Sequence, residues 1–226
     1  MICWNAKKMT TKNKLTKIID DYQSNIIDEP RNYIGASSIG SDCLRQIWYQ
    51  YKGVKAKSVP TKFRRTWAIG TRLEGLILDW LENAGLTIVR SWKDLQSTNM
   101  PFFKGHVDSV WIKKDVPFAI IEVKTAKDAS FKVFINKGVK VWNPQYYAQI
   151  QSYMGMSGIF STYILVLNKD NSDISDELIE FDEEFYKKIE KKALSIYNSI
   201  DEPPRISGSP IFFQCKMCKF NKVCHK

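Results

Sequence analysis

Apolar positions along this chain change their period several times, and each change marks a predicted element. Residues 10–24 and 41–52 read as helices, the second starting near Cys43. A third is predicted over 71–83, where Leu73, Leu76, Ile77, Trp80 and Leu81 form one stripe and Ala84-Gly85 ends it. The pattern then shifts to strands at about 86–91, 103–112 and 118–124, the last two rich in β-branched and aromatic residues. Asn143-Pro144 reads as an N-cap and first helical residue, opening a helix over 144–155. A strand from Ser161 to Leu167, a polar loop from Asn168 to Ser175, an edge strand near 177–181 and a long helix from Asp182 to about Ile200 follow, and Glu202-Pro203-Pro204 breaks that helix. There are no internal repeats or low-complexity segments. The order predicts one α/β domain with a mixed central β-sheet flanked by helices.

Two of these strands carry chemistry. One contains Gly105-His106-Val107-Asp108 and the next Ile121-Glu122-Val123-Lys124, with turn residues from Lys113 to Pro117 between them, so a hairpin is expected. If the hairpin is centred on Asp115, Asp108 stands opposite Glu122 and His106 opposite Lys124. Side chains alternate with period two, so two acids and an ammonium converge on one patch. Facing carboxylates repel each other unless a divalent cation lies between them. Mg²⁺ or Mn²⁺ takes such oxygen ligands and can polarise a phosphodiester and activate a bound water, while an adjacent ammonium stabilises the extra charge of the transition state. A half-exposed hairpin with a charged outer face would explain either segment alone. Both segments at matching register favour a metal-dependent nuclease site.

These residues resemble the PD-(D/E)XK nuclease superfamily, in which an Asp on one strand and an Asp/Glu-x-Lys on the next hold the metal. The Gly-x-x-Asp form, Gly105 to Asp108, is similar to the RecB-like branch, which also tends to carry an upstream Gly-x-x-x-His or Glu and a downstream Gln-x-x-x-Tyr. Gly70-Thr71-Arg72-Leu73-Glu74 and the pair Gln149 and Tyr153 match those patterns. The resemblance implies Asp108, Glu122 and Lys124 as catalytic residues and Glu74, Asp108 and Glu122 as ligands of Mg²⁺ or Mn²⁺. It also implies Gln149 and Tyr153 as substrate-orienting groups, with Arg72 and His106 close to the substrate and His106 a neighbour of the site, not a ligand. On the residues alone, Glu74 could equally complement a helix dipole, and Gln149 and Tyr153 could be the polar edge of a helix.

The cysteines form a second constellation. Cys215, Cys218 and Cys224 crowd the C-terminus in a C-x₂-C-x₅-C pattern, and Cys43 lies far upstream. Lysines throughout the tail argue against burial as apolar side chains, and nothing in the sequence signals secretion, so disulfides are not expected. Taken alone, four thiolates fit structural zinc as well as an iron–sulfur cluster. One Cys at an early helix start and three at the C-terminus, flanking a nuclease core, resemble the 4Fe-4S arrangement of the CRISPR-associated RecB-like exonucleases and AddB-type nuclease domains. The resemblance covers roughly residues 34 to 226, and Cys3 is expected to be free.

Composition narrows the partner. A chain of 226 residues with 44% hydrophobic content can build a sizeable core, and a net charge of +10 points to a polyanion, although a solvated lysine-rich surface would give the same count. No apolar run reaches the ~20 residues of a membrane span, and the polar start MICWNAKKM does not read as a signal peptide, so the expected location is the cytoplasm, or a host's cytoplasm for a viral gene. The expected organisation is a single nuclease domain with an N-terminal helical segment over 1–60, a core over 61–205 and a cluster-binding tail over 206–226. The expected function is metal-dependent hydrolysis of DNA with single-stranded ends, in CRISPR adaptation, recombination or repair, with protein partners from such a complex. A non-catalytic DNA-binding subunit retaining fold and cluster, or a zinc-bearing interaction module, are the competing readings.

Overall fold

The computed structural model describes residues 13–27, 31–92 and 94–226. Cys3 and the first residues of the helix predicted over 10–24 lie outside them. In chain order the elements are α1 (Lys14–Ser24), β1 (Ile34–Gly35), α2 (Ala36–Ile39), α3 (Leu44–Tyr51), α4 (Thr61–Asn83), β2 (Thr87–Arg90), β3 (Asp94–Gln96), β4 (Phe103–His106) and β5 (Ser109–Lys113). They continue with β6 (Val116–Ala126), α5 (Asp128–Trp142), α6 (Pro144–Ser157), β7 (Ser161–Asn168), β8 (Ile174–Glu180), α7 (Glu183–Asn198), α8 (Phe213–Met217) and α9 (Asn221–Cys224).

The strands form two sheets. A five-stranded sheet runs β2-β5-β6-β7-β8, antiparallel except where β6 and β7 lie side by side in parallel. A parallel pair needs a crossover, and α5 and α6 supply it. A three-stranded sheet runs β1-β4-β3. Alternation on β6 sends Ile121 and Val123 toward Ile77 and Leu78 of α4, while Ile120 joins the larger core with Ile150, Met154, Ile164, Val166, Ala193 and Ile196. The central strand of this sheet thus carries the Glu-x-Lys segment.

Three sequence expectations need correction. The strand predicted over 103–112 is two strands, β4 and β5, belonging to different sheets and broken at Val107 and Asp108. Asp108-Ser109 carry turn-forming side chains, but the β-branched and aromatic residues on both sides extend the strand pattern through them. The helix predicted over 71–83 begins ten residues earlier at Thr61, after Pro60, and Gly70 lies inside it and does not open it. A helical glycine costs only ~1 kcal/mol, which a helix of 23 residues absorbs. The third correction is α5, which the sequence did not predict at all. Its run Val133-Phe134-Ile135 and Val139-Lys140-Val141-Trp142 has strand-like composition, and Gly138 at φ 69° kinks it.

Candidate active site

The hairpin register came out as predicted at its functional end, by a different route. The turn is Lys114-Asp115, both at positive φ, which centres the loop half a residue earlier than a hairpin pivoting on Asp115. A register shift beside Trp111 and Ile112 leaves Phe118 as the extra residue, and the pairing then resumes as Trp111 opposite Ala119 and Ser109 opposite Ile121. One step further along that register, Asp108 faces Glu122. His106 does not face Lys124. It pairs with Asp94 in the other sheet, its Nδ1 2.7 Å from the Asp94 carboxylate and its Nε2 3.1 Å from the Tyr33 hydroxyl.

Asp108, Glu122 and Lys124 come together at the point where the strand breaks. Glu122 is 1% exposed, its Oε1 takes a short hydrogen bond from Lys124 Nζ, and its Oε2 is buried with no partner. Burial pulls the Lys124 ammonium down, but the negative charges of Glu122 and Asp108 outweigh this and hold it above the ordinary lysine range. Asp108 is pushed up to about 8, first by burial and then by the charge of Glu122. Glu74 of α4 is raised as well, by burial and then by Glu122, so its carboxyl belongs to the same electrostatic group. One ammonium does not compensate these acids, and a buried carboxylate oxygen is left without a donor. That surplus of hard oxygens is what a divalent cation neutralises, so the residues fit Mg²⁺ or Mn²⁺. Among the described residues no group of three or more His, Cys, Asp or Glu side chains stands ready to hold a metal ion. Glu122 Oε1 is instead engaged by Lys124.

The helix α6 closes the site, opened by Asn143, whose side chain accepts from the backbone N–H of Gln145 and Tyr146. Gln149 donates to the Tyr153 hydroxyl at 2.6 Å, and both are buried. Burial and then the charge of Glu122 raise the Tyr153 phenol, which places it beside the acids. A Cβ on Gly105 would lie 2.7 Å from Tyr153 Cε1 and 3.1 Å from the Ala36 side chain, so this glycine is the floor on which the tyrosine ring rests. With 3% of its surface exposed and its ring against Gly105, Tyr153 cannot offer a face to a base. Tyr146, which the sequence reading missed, places its ring 5.0 Å from Lys124 Nζ. Its i, i+3, i+7 spacing with Gln149 and Tyr153 was the available signal. Arg72 is exposed and, two residues from Glu74 on α4, points to the opposite side of that helix.

This geometry belongs to a fold seen before. No protein-family model and no curated protein matches the chain. Among solved structures, LHK-Exo, an alkaline exonuclease from Laribacter hongkongensis, in its complex with dAMP superposes with a TM-score of 0.58 at 16% identity, over 74% of this chain and 86% of that one. A phage-related exonuclease from Haemophilus somnus 129PT matches at 0.50 and 15% identity, over 73% and 91%. SSO0001 matches at 0.52 and 19% identity, over 96% of both chains. The chain shares the fold of these proteins. At such identities the likeness speaks for the fold alone, and the site must speak for the chemistry.

The cysteines meet at the other end of the molecule. Cys43, Cys215, Cys218 and Cys224 line one cavity, in which the space open to water amounts to about 20 Å³. Cys43 stands at the N-terminus of α3, Cys215 lies in α8, Cys218 follows directly after α8, and Cys224 ends α9. Arg45 ties the two ends of the chain, donating to the Pro203 carbonyl and pairing with Glu202 at 2.9 Å, and the Tyr49 and Phe220 rings pack at 5.3 Å. Burial, and beyond it the neighbouring thiols, push Cys215 and Cys218 up, so the four sulfurs lie within electrostatic reach of one another. Tyr49 Oη, Gln214 Oε1 and His225 Nε2 are buried without partners, and their residues line the same cavity.

Proposed function

We propose that the protein is a divalent-metal-dependent DNA exonuclease, and that it is of the RecB-like iron–sulfur type. The observation that carries the first part is the convergence of Asp108, Glu122 and Lys124 at a strand break, with one Glu122 oxygen buried and unpartnered, in a fold shared with known exonucleases. Asp108 and Glu122, with Glu74 as a third, would hold Mg²⁺ or Mn²⁺, which when bound supplies Lewis acidity at the scissile phosphate and an acidified water. Lys124 holds its proton firmly, so it acts as a donor: it orients the attacking water and stabilises negative charge as it builds on the phosphate oxygens. Tyr146 fixes the ammonium from one side. Gln149 and Tyr153 form the wall that limits where the phosphate can sit, and their shared hydrogen bond keeps that wall in one conformation.

The iron–sulfur part is supported by the meeting of four predicted cysteines in one cavity, with unpartnered polar atoms around it. Such a cluster would join α3 to the C-terminal tail and make the closure of the whole chain depend on iron. A partner that is DNA with single-stranded ends, and a place in CRISPR adaptation, recombination or repair, follow from the same resemblance. The test is cleavage of end-labelled single- and double-stranded DNA with Mn²⁺, Mg²⁺ or EDTA. Metal-dependent release of nucleotides from an end is expected. DNA binding without any cleavage would favour a non-catalytic subunit of a larger complex.

A further inference from the structure

Helix α4 carries an aromatic stripe that the site does not use. Its sheet-facing side buries Ile77 and Leu78 and carries the half-buried Glu74, whose carboxyl is raised by burial and then by the charge of Glu122. Continuing toward the N-terminus along that side, the i−4 and i−7 positions from Glu74 are Gly70 and Trp67, and Phe63 follows one turn further. Here the helix has run past the sheet. Trp67 is 57% exposed and Phe63 39%, although both lie on the side that becomes core two turns later. Between Trp67 and Glu74 a side chain on Gly70 would meet nothing within 4 Å, so the stripe has an open gap one helical turn before Glu74. From Trp67 to Glu74 the rise along the helix is about 10 Å, the length of a few stacked bases at most. Tyr153, expected to orient substrate, is buried against Gly105 and offers no ring face for a base to stack on.

We propose that Trp67, with Phe63 behind it, is a base-stacking platform that guides the single-stranded end of DNA over Gly70 to the acids at Glu74. This rests on the nuclease reading and names the substrate-positioning residues that it lacks. An indole face stacks on any base, so the platform is indifferent to sequence, which suits an enzyme that shortens DNA stepwise. The phosphates are drawn in by the chain's net charge of +10, and the aromatics hold the bases.

Binding of a fluorescent oligothymidylate and of a blunt duplex, in EDTA and across a salt series, tests this. Trp67→Ala is expected to weaken single-strand binding about tenfold, within the range of one lost base stack, with Trp67→Phe close to wild type and Ile69→Ala, also exposed on α4 but facing away, unchanged. The loss is expected to be equal at every salt concentration, because stacking releases no counterions, whereas removing phosphate contacts flattens the slope. Gly70→Leu replaces a helical glycine with a strong helix former, so it should raise the melting temperature while weakening single-strand binding by filling the gap. With Mn²⁺, Trp67→Ala should raise KM far more than it lowers kcat. Wild-type binding with Trp67→Ala within twofold of it would overturn the platform and leave the nuclease standing. A wild-type protein that neither binds nor cuts DNA would overturn the nuclease reading itself.

Discussion

The carboxylate site and the cysteine cavity are both built from groups that crowd reactive side chains together, but they are held in opposite ways. Asp108, Glu122 and Lys124 are near neighbours in sequence: Glu122 and Lys124 are fixed by the hydrogen-bond register of β6 with β7 in the buried centre of the sheet, and Asp108 stands at the break immediately before β5. The cysteines come from opposite ends of the chain and meet through a few side-chain contacts around Arg45, Tyr49 and Phe220. Register is paid for by the whole sheet. It survives the loss of one side chain, whereas a closure between chain ends depends on the few groups that make it. Changes at the first region should therefore remove chemistry and spare the fold, and changes at the second should do the reverse.

The largest expected effect is at the acids. Asp108→Asn and Glu122→Gln should each lower metal-dependent cleavage by ~10²-fold or more, the usual loss for one electrostatic group in a transition state, with melting temperatures equal to or above wild type because repulsion is relieved. Lys124→Ala is different. It leaves Glu122 buried without the ammonium that pairs with its Oε1, and breaking such a pair costs ~3 kcal/mol or more, so this variant should lose both cleavage and stability. Steady-state cleavage beside thermal melts of the three variants checks it, and a fully active Glu122→Gln would remove this region from the mechanism.

The cavity should behave in the opposite sense. Purified anaerobically, the protein should contain iron and acid-labile sulfide, and Cys43→Ser and Cys224→Ser should lose both and melt at least ~5 °C lower, the equivalent of roughly 2 kcal/mol for a chain of this size. Either change should have the same effect, because either opens the same closure. Zinc in place of iron, found by metal analysis, would overturn the cluster and leave the closure intact.

How much of this was readable beforehand follows the same division. The functional end of the hairpin could be read because register obeys period two, and even the unforeseen bulge at Phe118 returned Asp108 to Glu122. The cysteine grouping could be read because thiol spacing is a chemical signature. What escaped was set by tertiary packing. The break at Asp108, which opens the strand for the site, is marked only by Asp108-Ser109 inside an otherwise strand-like run, and the far end of that run, His106, went to a second sheet. Tyr153 looked exposed from its helical edge and is buried because Gly105 lets it in. The exposed half of α4 was hidden because Gly70 looked like a start.

Protonation offers a way to sharpen the comparison, since the first region holds a carboxyl raised to about 8. In the metal-free protein Asp108 keeps its proton up to about pH 8, while in the unfolded chain an aspartate releases it near ~3.9. Between those values the folded state binds a proton that the unfolded state has lost, so stability should fall as pH rises across this window. Asp108→Asn should flatten that part of the profile, and Mn²⁺ should stabilise the wild type more at pH 8 than at pH 6, because at the lower pH it must displace the proton. Melting curves at both pH values with and without Mn²⁺ measure this, and an unchanged slope in Asp108→Asn would place the proton elsewhere.

The smallest effect tests whether the glycine of the Gly-x-x-Asp segment serves the chemistry directly or through α6. An added methyl at Gly105 would press on the Tyr153 ring at 2.7 Å and on Ala36 Cβ at 3.1 Å, and the ring, 3% exposed, has little room to give. Gly105→Ala should therefore destabilise the protein by ~1–3 kcal/mol, as overpacking does, and lower cleavage several-fold by shifting Gln149 with its tyrosine partner. Replacing Tyr153 by Leu removes the ring that the methyl strikes, so the double variant should regain the stability lost by Gly105→Ala, a coupling that a double-mutant cycle reads directly. Stability recovered without activity would mean that the Gln149–Tyr153 pair positions the substrate. Additive losses in the cycle would mean that Gly105 is required by the backbone at the strand break and that its contact with the tyrosine is incidental.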